Sequence, residues 1–161
     1  MLGRSEILRL IKDENLLSDW DEKALGGSGY DLRAGRFYRL KSSSFLGVSS
    51  RKTPQVEEIF GDKLVLAPDE YVLVESVESV KMPAGVAARI LPRSSLFRCG
   101  CMLYTALVDP GFTGTLTMGL KNECAHEFTL ERGARVAQIV FEKVEGTTTL
   151  YAGKYQGGKI V

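Results

Sequence analysis

No apolar run in this chain of 161 residues approaches the roughly 20 consecutive residues that a membrane-spanning helix needs. The first six residues, Met1-Leu2-Gly3-Arg4-Ser5-Glu6, lack the apolar stretch of a signal peptide, so a cytoplasmic protein is expected. Charge of one sign is also missing: 21 Lys and Arg oppose 20 Asp and Glu, for a net charge of +1. That balance argues against a nucleic-acid or membrane-surface partner, while leaving room for a local basic pocket. Cysteine is scarce and odd in number, three with a single histidine, which argues against a disulfide framework. Cys99, Cys101, Cys124 and His126 can be drawn as a zinc set. Their one-residue spacings are narrower than structural zinc sites use, and small buried thiols with a satisfied histidine is the preferred reading. Also absent are the Gly-x-Gly-x-x-Gly fingerprint, the P-loop Lys-Ser/Thr signature, a nucleophile-elbow context for a Ser-His-Asp triad, and the His-x-Glu and Pro-Cys-x-x-Cys pattern of zinc deaminases.

What is present reads as one β-rich domain. Ile7, Leu8, Ile11 and Leu16 fall on or near a helical stripe, with Lys12, Asp13 and Glu14 opposite. Gly26-Gly27-Ser28-Gly29 then breaks the helix. From Tyr30 onward the patterns are short and strand-like: 30–33, 37–40, 64–66, 71–74, 77–80, 86–90, 102–104, 116–118, 128–130 and 136–141. Residues 41–60 read as a long loop containing Pro54. Turn signals recurring every 8–12 residues or so point to an all-β sandwich or barrel. The end of the chain, from Gly153 to Val161, reads as mobile unless a ligand orders it.

Three polar clusters could carry chemistry. Pro92-Arg93-Ser94-Ser95-Leu96-Phe97-Arg98 places two arginines and two hydroxyls close together. That suits a polyphosphate grip, because a guanidinium offers paired donors to phosphate oxygens; it also suits a solvated loop. Val108-Asp109-Pro110-Gly111-Phe112-Thr113-Gly114 puts an acid after an apolar strand and before a Pro-Gly turn. Asp109 there either deprotonates or orients a water, or caps the turn. Phe112 on its own reads as core, with stacking under a sugar as the other option. Tyr151-Ala152-Gly153-Lys154-Tyr155-Gln156 is either a frayed end or a lid that folds over a charged ligand.

Taken in order, these segments resemble the dUTPase and dCTP deaminase superfamily. The resemblance runs from Gly29-Tyr30-Asp31-Leu32-Arg33 through Arg93-Ser94-Ser95-Leu96, Asp109-Pro110-Gly111-Phe112-Thr113-Gly114 and Gly133-Ala134-Arg135-Val136-Ala137-Gln138 to Gly153-Lys154-Tyr155-Gln156. The Asp-Pro-Gly-Phe form and the Gly-Lys-Tyr-Gln tail are closer to the deaminase branch. The resemblance implies a distorted, jelly-roll type β-barrel with a short N-terminal helix. It implies a single domain over residues 1–161 with 151–161 as a C-terminal lid, and a homotrimer with active sites between subunits. It also implies roles. Arg93, Ser94, Ser95, Arg98, Gln138 and Lys154 would hold the triphosphate. Asp109 would act on the attacking water. Phe112, Thr117, Met118, Gly119, Tyr151 and Gln156 would contact base and sugar. No metal would be held by protein ligands alone: Mg²⁺ would ride on the triphosphate, with Asp31 either ordering a water of that ion or serving as a turn acid.

The informative departure is Gly119. The deaminase branch carries a glutamate there, which moves protons at the cytosine amino group, and glycine cannot. Losing a positioned acid/base costs roughly 10²–10⁴-fold in rate. On a regular strand Glu123 lies about 13 Å further along, too far to substitute. Hydrolysis at the α-phosphorus needs no acid at that position. The expected activity is therefore Mg²⁺-assisted hydrolysis of dUTP to dUMP and pyrophosphate, as in the archaeal-type dUTPase branch. Uracil's N3–H donor and O4 acceptor, both inverted in cytosine, supply the discrimination, read by backbone near a side-chain-free Gly119. A dCTP deaminase, mono- or bifunctional, is the alternative; a nucleotide-binding homologue without catalysis is the second.

Overall fold

The computed structural model describes residues 1–161. Helix α1 spans Arg4–Glu14 and buries Ile7, Leu10 and Ile11; Asn15 ends it in the left-handed conformation. Leu16 lies beyond the helix, and is buried there nonetheless. The strands are β1 (Leu17–Ser18), β2 (Tyr30–Leu40), β3 (Phe45–Leu46), β4 (Arg51–Lys52), β5 (Val56–Ile59), β6 (Lys63–Leu66) and β7 (Tyr71–Lys81). After them come β8 (Val86–Pro92), helix α2 (Ser94–Arg98), β9 (Cys101–Tyr104), β10 (Leu107–Val108), β11 (Thr113–Asn122), β12 (Phe128–Glu131) and β13 (Arg135–Lys143). The expected mainly-β class holds, as a curled half-barrel with a short N-terminal helix. No helix is long and apolar enough to cross a membrane.

Three expectations need correction. Residues 41–60 are not one long loop: they hold the β3–β4 hairpin and β5, which pairs with β2 from Phe37↔Ile59 to Leu40↔Val56. The runs 30–33 and 37–40 form one strand, with Gly35 at a close approach to β7 where a Cβ would sit 2.9 Å from the Glu75 carbonyl. The runs 71–74 and 77–80 are likewise one strand, β7. Polar residues inside those runs hide the continuity from a hydrophobicity pattern.

The main sheet runs β10-β8-β13-β2-β7-β11-β9, with β1 added to β7 and β5 to β2. Its two ends are consecutive in the chain, since β9 leads into β10, so the sheet curls until they approach. Thr105 Oγ1, between those strands, donates to the Ile90 carbonyl at 2.8 Å and ties the ends together. Phe37, Leu64, Leu66, Met118, Leu120, Ile139 and Phe141 fill the interior of the curl.

Strand β7 carries two buried carboxylates. Glu78, fully buried, accepts from Tyr30 Oη at 3.0 Å, the Arg33 amide at 3.0 Å and Arg33 Nε at 2.6 Å. Burial pushes Tyr30 up to about 12, so it stays a donor at neutral pH. The ladders flanking β7 are irregular around these acids, between Ala34/Phe37 on β2 and Thr115/Thr117 on β11. Ser76 mends the gap: its hydroxyl donates to the Glu78 carbonyl at 2.6 Å and accepts the Leu116 amide at 2.9 Å. Removing one partner of a buried ion pair leaves the other uncompensated. Glu78→Ala should cost about 3 kcal/mol of unfolding free energy in urea titrations, whereas Glu131→Ala, on a solvent-exposed pair with Lys63, should change little.

Candidate active site

A pocket of about 270 Å³ opens at the seam where the ends of the sheet meet. That is just below the roughly 300 Å³ at which small-ligand sites begin. Its wall includes Asp109, Phe112, Thr115, Thr117, Tyr151 and Tyr155, with Ile90 beneath. Asp109 follows β10 and opens a tight turn closed by the Phe112 amide on the Asp109 carbonyl at 3.2 Å. Pro110 and Gly111 take the central positions, and Gly111 has φ +80°, which such a turn asks of its third residue. Two further bonds clamp the corner to the end of β7: Gly111 N–H to the Met82 carbonyl at 3.1 Å and Met82 N–H to the Phe112 carbonyl at 2.8 Å. The carboxylate therefore stands on a backbone with little freedom, and it is the only acid on the pocket wall.

Phe112 is both core and site. It belongs to the buried cluster, yet it lines the pocket and meets Tyr151 edge-to-face at 5.4 Å. Thr117 presents a buried hydroxyl oxygen with no hydrogen-bond partner. Met118 points the other way, into the core, as alternation along a strand requires, so its side chain is not on the pocket wall. Gly119 is also not the open approach that its lack of a side chain suggested. A Cβ there would lie against the Tyr71 hydroxyl and 2.9 Å from ring atoms Cε2 and Cζ. The Tyr71 ring has taken the room.

The expected phosphate residues gather elsewhere. Arg93 Nε faces Asp31 Oδ2 at 3.3 Å, and Arg135 Nη1 faces the same oxygen at 3.8 Å. Gln138 pairs with Asp31 in the β2–β13 ladder. Ser94, Ser95 and Arg98 lie on α2, a short helix, and none of these residues lines the pocket. Both guanidiniums face one Asp31 oxygen, Oδ2. No three Cys, His, Asp or Glu side chains are gathered as a metal-ligand set, the Cys99, Cys101, Cys124 and His126 group included. Burial raises the Cys101 thiol to about 11, which suppresses the thiolate form.

The C-terminal segment was expected to be mobile without a ligand, but it is docked on the Asp-Pro-Gly corner. Tyr151 N–H bonds the Pro110 carbonyl at 2.8 Å and Gly157 N–H the Thr113 carbonyl at 2.8 Å. Gln156 accepts the Thr113 amide at 3.1 Å and donates to the Gly111 carbonyl at 3.0 Å, so its amide serves the corner. Gly114 lets the segment pass, since a Cβ there would sit 2.5 Å from Gly157 C. Lys154 reaches Thr53 at 3.2 Å, and Lys159 lines the pocket instead. Sequence reasoning missed Thr115, Tyr155 and Lys159 on the wall, Glu75 behind Thr115 and Tyr71 against Gly119. The alternating Thr113, Thr115 and Thr117, and an acid inside the apolar run 71–77, were the available signals.

The sequence pattern of the dCTP deaminase-like family matches residues 1–144. The chain is 38% identical over 148 residues to a dCTP deaminase of Pyrococcus horikoshii, covering 91% of this chain and 88% of that one. It is 35% identical over 156 residues to a probable deoxyuridine 5'-triphosphate nucleotidohydrolase of Methanothermobacter thermautotrophicus, covering 97% and 99%. Among solved structures, the 2'-deoxycytidine 5'-triphosphate deaminase of Agrobacterium tumefaciens superposes with a TM-score of 0.72 at 23% identity over 89% of this chain, which spans 47% of that one. At that identity the likeness concerns the fold. Fold and relatives together define a class of hydrolytic nucleotide enzymes that includes both dCTP deaminases and dUTPases. Within it, this chain belongs to the dCTP deaminase-like family.

The Tyr71–Gly119 contact is open to a double-mutant cycle. Gly119→Ala should destabilise the wild type by about 1–2 kcal/mol, because the ring must leave its seat. The same substitution in a Tyr71→Ala background should be near neutral, read as denaturation midpoints.

Proposed function

We propose that the chain hydrolyses dUTP to dUMP and pyrophosphate. The observation that carries this reading is at Gly119, where the deaminase branch places its proton-shuttling glutamate. Here that place has no side chain, and its space is filled by the Tyr71 ring. Burial raises the Tyr71 hydroxyl above its ordinary value, so at neutral pH it is not a base. Asp109 is then the one carboxylate available to a bound nucleotide, and hydrolysis at phosphorus needs one general base.

In this reading the Asp109 carboxylate accepts a proton from water as the water oxygen bonds the α-phosphorus. The bond from that phosphorus to the bridging oxygen breaks, and pyrophosphate leaves with the electron pair. Mg²⁺, arriving on the triphosphate, supplies neutralisation of phosphate charge. Phe112 and Tyr151 exclude water from the sugar side. Arg93, Ser94, Ser95, Arg98, Gln138 and Lys154 would grip the triphosphate from a neighbouring subunit of a homotrimer. Two observations support that assignment: these residues lie outside the chain's own pocket, and Phe97 on α2 with Leu91, Met102, Tyr104 and Leu107 on β8, β9 and β10 expose 46–58% of their surface. Residues 151–161 would act as the lid. The proposed partners are the nucleotide and further copies of the chain.

A second reading, deamination of dCTP, is favoured by the Pyrococcus horikoshii relative, which is named a dCTP deaminase. A parallel product assay separates the two. With dUTP and Mg²⁺ the protein should release pyrophosphate, and with dCTP no ammonia; ammonia from dCTP would establish the second reading instead. Asp109→Asn should lower dUTP turnover by about 10²–10⁴-fold while the nucleotide still binds, measured by calorimetry.

A further inference from the structure

Glu75 has no part in the chemistry above, yet it stands one hydroxyl away from the pocket. It is buried on β7, with 2% of its surface exposed. Arg36 meets it with two nitrogens, Nη2 to Oε1 at 2.9 Å and Nε to Oε2 at 2.7 Å. Tyr38 Oη donates to Oε2 at 3.0 Å, and Thr115 Oγ1 donates to Oε1 at 2.6 Å. A guanidinium has only donors, and an ionised carboxylate only acceptors. The Thr115 hydroxyl has one proton, and that proton points at Glu75. What Thr115 presents to the pocket it lines is therefore lone pairs alone.

Two neighbours sharpen this. Thr117 lies directly opposite Glu75 in the β7–β11 ladder, but the four donors already on the carboxylate leave it unclaimed, and its buried hydroxyl has no partner. Gly158 of the docked tail passes against Thr115, yet its N–H is spent on the Tyr155 carbonyl at 3.1 Å. The pocket wall thus holds one hydroxyl of fixed polarity, that of Thr115, while the Thr117 oxygen is sealed beneath the surface. A buried polar atom left unpaired is costly, so a ligand offering a matching edge gains where a mismatched one loses.

We propose that Glu75 is a positioning residue for pyrimidine recognition: by holding the Thr115 proton it makes Thr115 Oγ1 an obligate acceptor that takes an N–H donor from the edge of the base. The proposal rests on the nucleotide-binding reading of this pocket. Uracil offers such a donor at N3, where cytosine has an acceptor; cytosine offers one only at its amino group.

The test measures affinity for α,β-imido-dUTP and α,β-imido-dCTP with Mg²⁺, so that no cleavage at phosphorus intervenes, and ammonia is followed so that any deamination of the cytosine analogue is seen. The wild type should prefer the uracil analogue. Thr115→Val, which removes the acceptor at nearly constant shape, should cut the preference about tenfold or more. Thr115→Ala provides the same reading should valine not fold, and Thr115→Ser, which keeps the hydroxyl, should retain the preference. Glu75→Gln, which frees the Thr115 proton, should narrow it. Tyr38→Phe, which strips a different hydrogen bond from Glu75, should lower the melting temperature and leave the preference unchanged; a merely structural Glu75 would make all these variants move stability alone. An unchanged preference in Thr115→Val overturns the inference and leaves the proposed activity standing. A wild-type preference for the cytosine analogue that Thr115→Val erases does the reverse. Equal binding of both analogues by the wild type overturns the inference, and binding of neither overturns both.

Discussion

Two carboxylates buried three residues apart on one strand govern the centre of this molecule. Glu75 and Glu78 cannot share a face of β7, since side chains alternate along a strand, and neither can stay buried without partners. Each therefore draws its own set of donors. Glu78 collects Tyr30 and Arg33 from β2. Glu75 collects Arg36 and Tyr38 from the same strand and Thr115 from β11. The irregular ladders on both sides of β7 accommodate this arrangement, and Ser76 mends the backbone groups that the irregularity leaves open. β2, β7 and β11 are joined by side chains as well as by backbone, and the rest of the sheet curls around that three-stranded centre.

The curl creates the site. A sheet whose ends approach without a shared ladder leaves a seam, and side chains at the seam face a cavity instead of a neighbouring strand. Asp109 reaches it because a Pro-Gly corner is clamped to the end of β7. Thr115, Leu116 and Thr117 reach it where the β11 ladder slips against β7. The C-terminal segment lies over the same corner, held by backbone bonds and by the Gln156 amide. One chain thus assembles the seam pocket, while Arg93 and Arg135 meet at Asp31 and Arg98 lies on α2, all away from that wall. That separation is the physical ground for assigning the triphosphate grip to a neighbouring subunit.

The contact between Tyr71 and Gly119 bears on activity and on packing together. A glycine in the middle of a buried strand ordinarily weakens it, but here an aromatic ring from the adjacent strand occupies the space. Any side chain at position 119 would require Tyr71 to move out. Tyr71 also packs against Tyr104 of β9, with ring centroids 6.1 Å apart, so displacing it would disturb the edge of the sheet as well.

Much of this was legible in the linear order of residues. The short apolar runs, the turn residues between them and the stripe from Ile7 to Ile11 sufficed for a mainly-β fold with a short helix. Asp109-Pro110-Gly111 announced a turn with an acid at its mouth, because proline and glycine restrict the backbone locally. Gly119 stood out for what it lacks. Other features depended on the fold. That Tyr71 covers Gly119, that Glu75 orients Thr115, that Met118 turns inward and that the arginines meet at Asp31 are contacts between residues distant in the chain. Their partners are chosen by strand register and by the curl of the sheet. Local propensity carries information over a few residues, whereas a hydroxyl's polarity or a glycine's neighbour is decided by whichever strand is laid beside it.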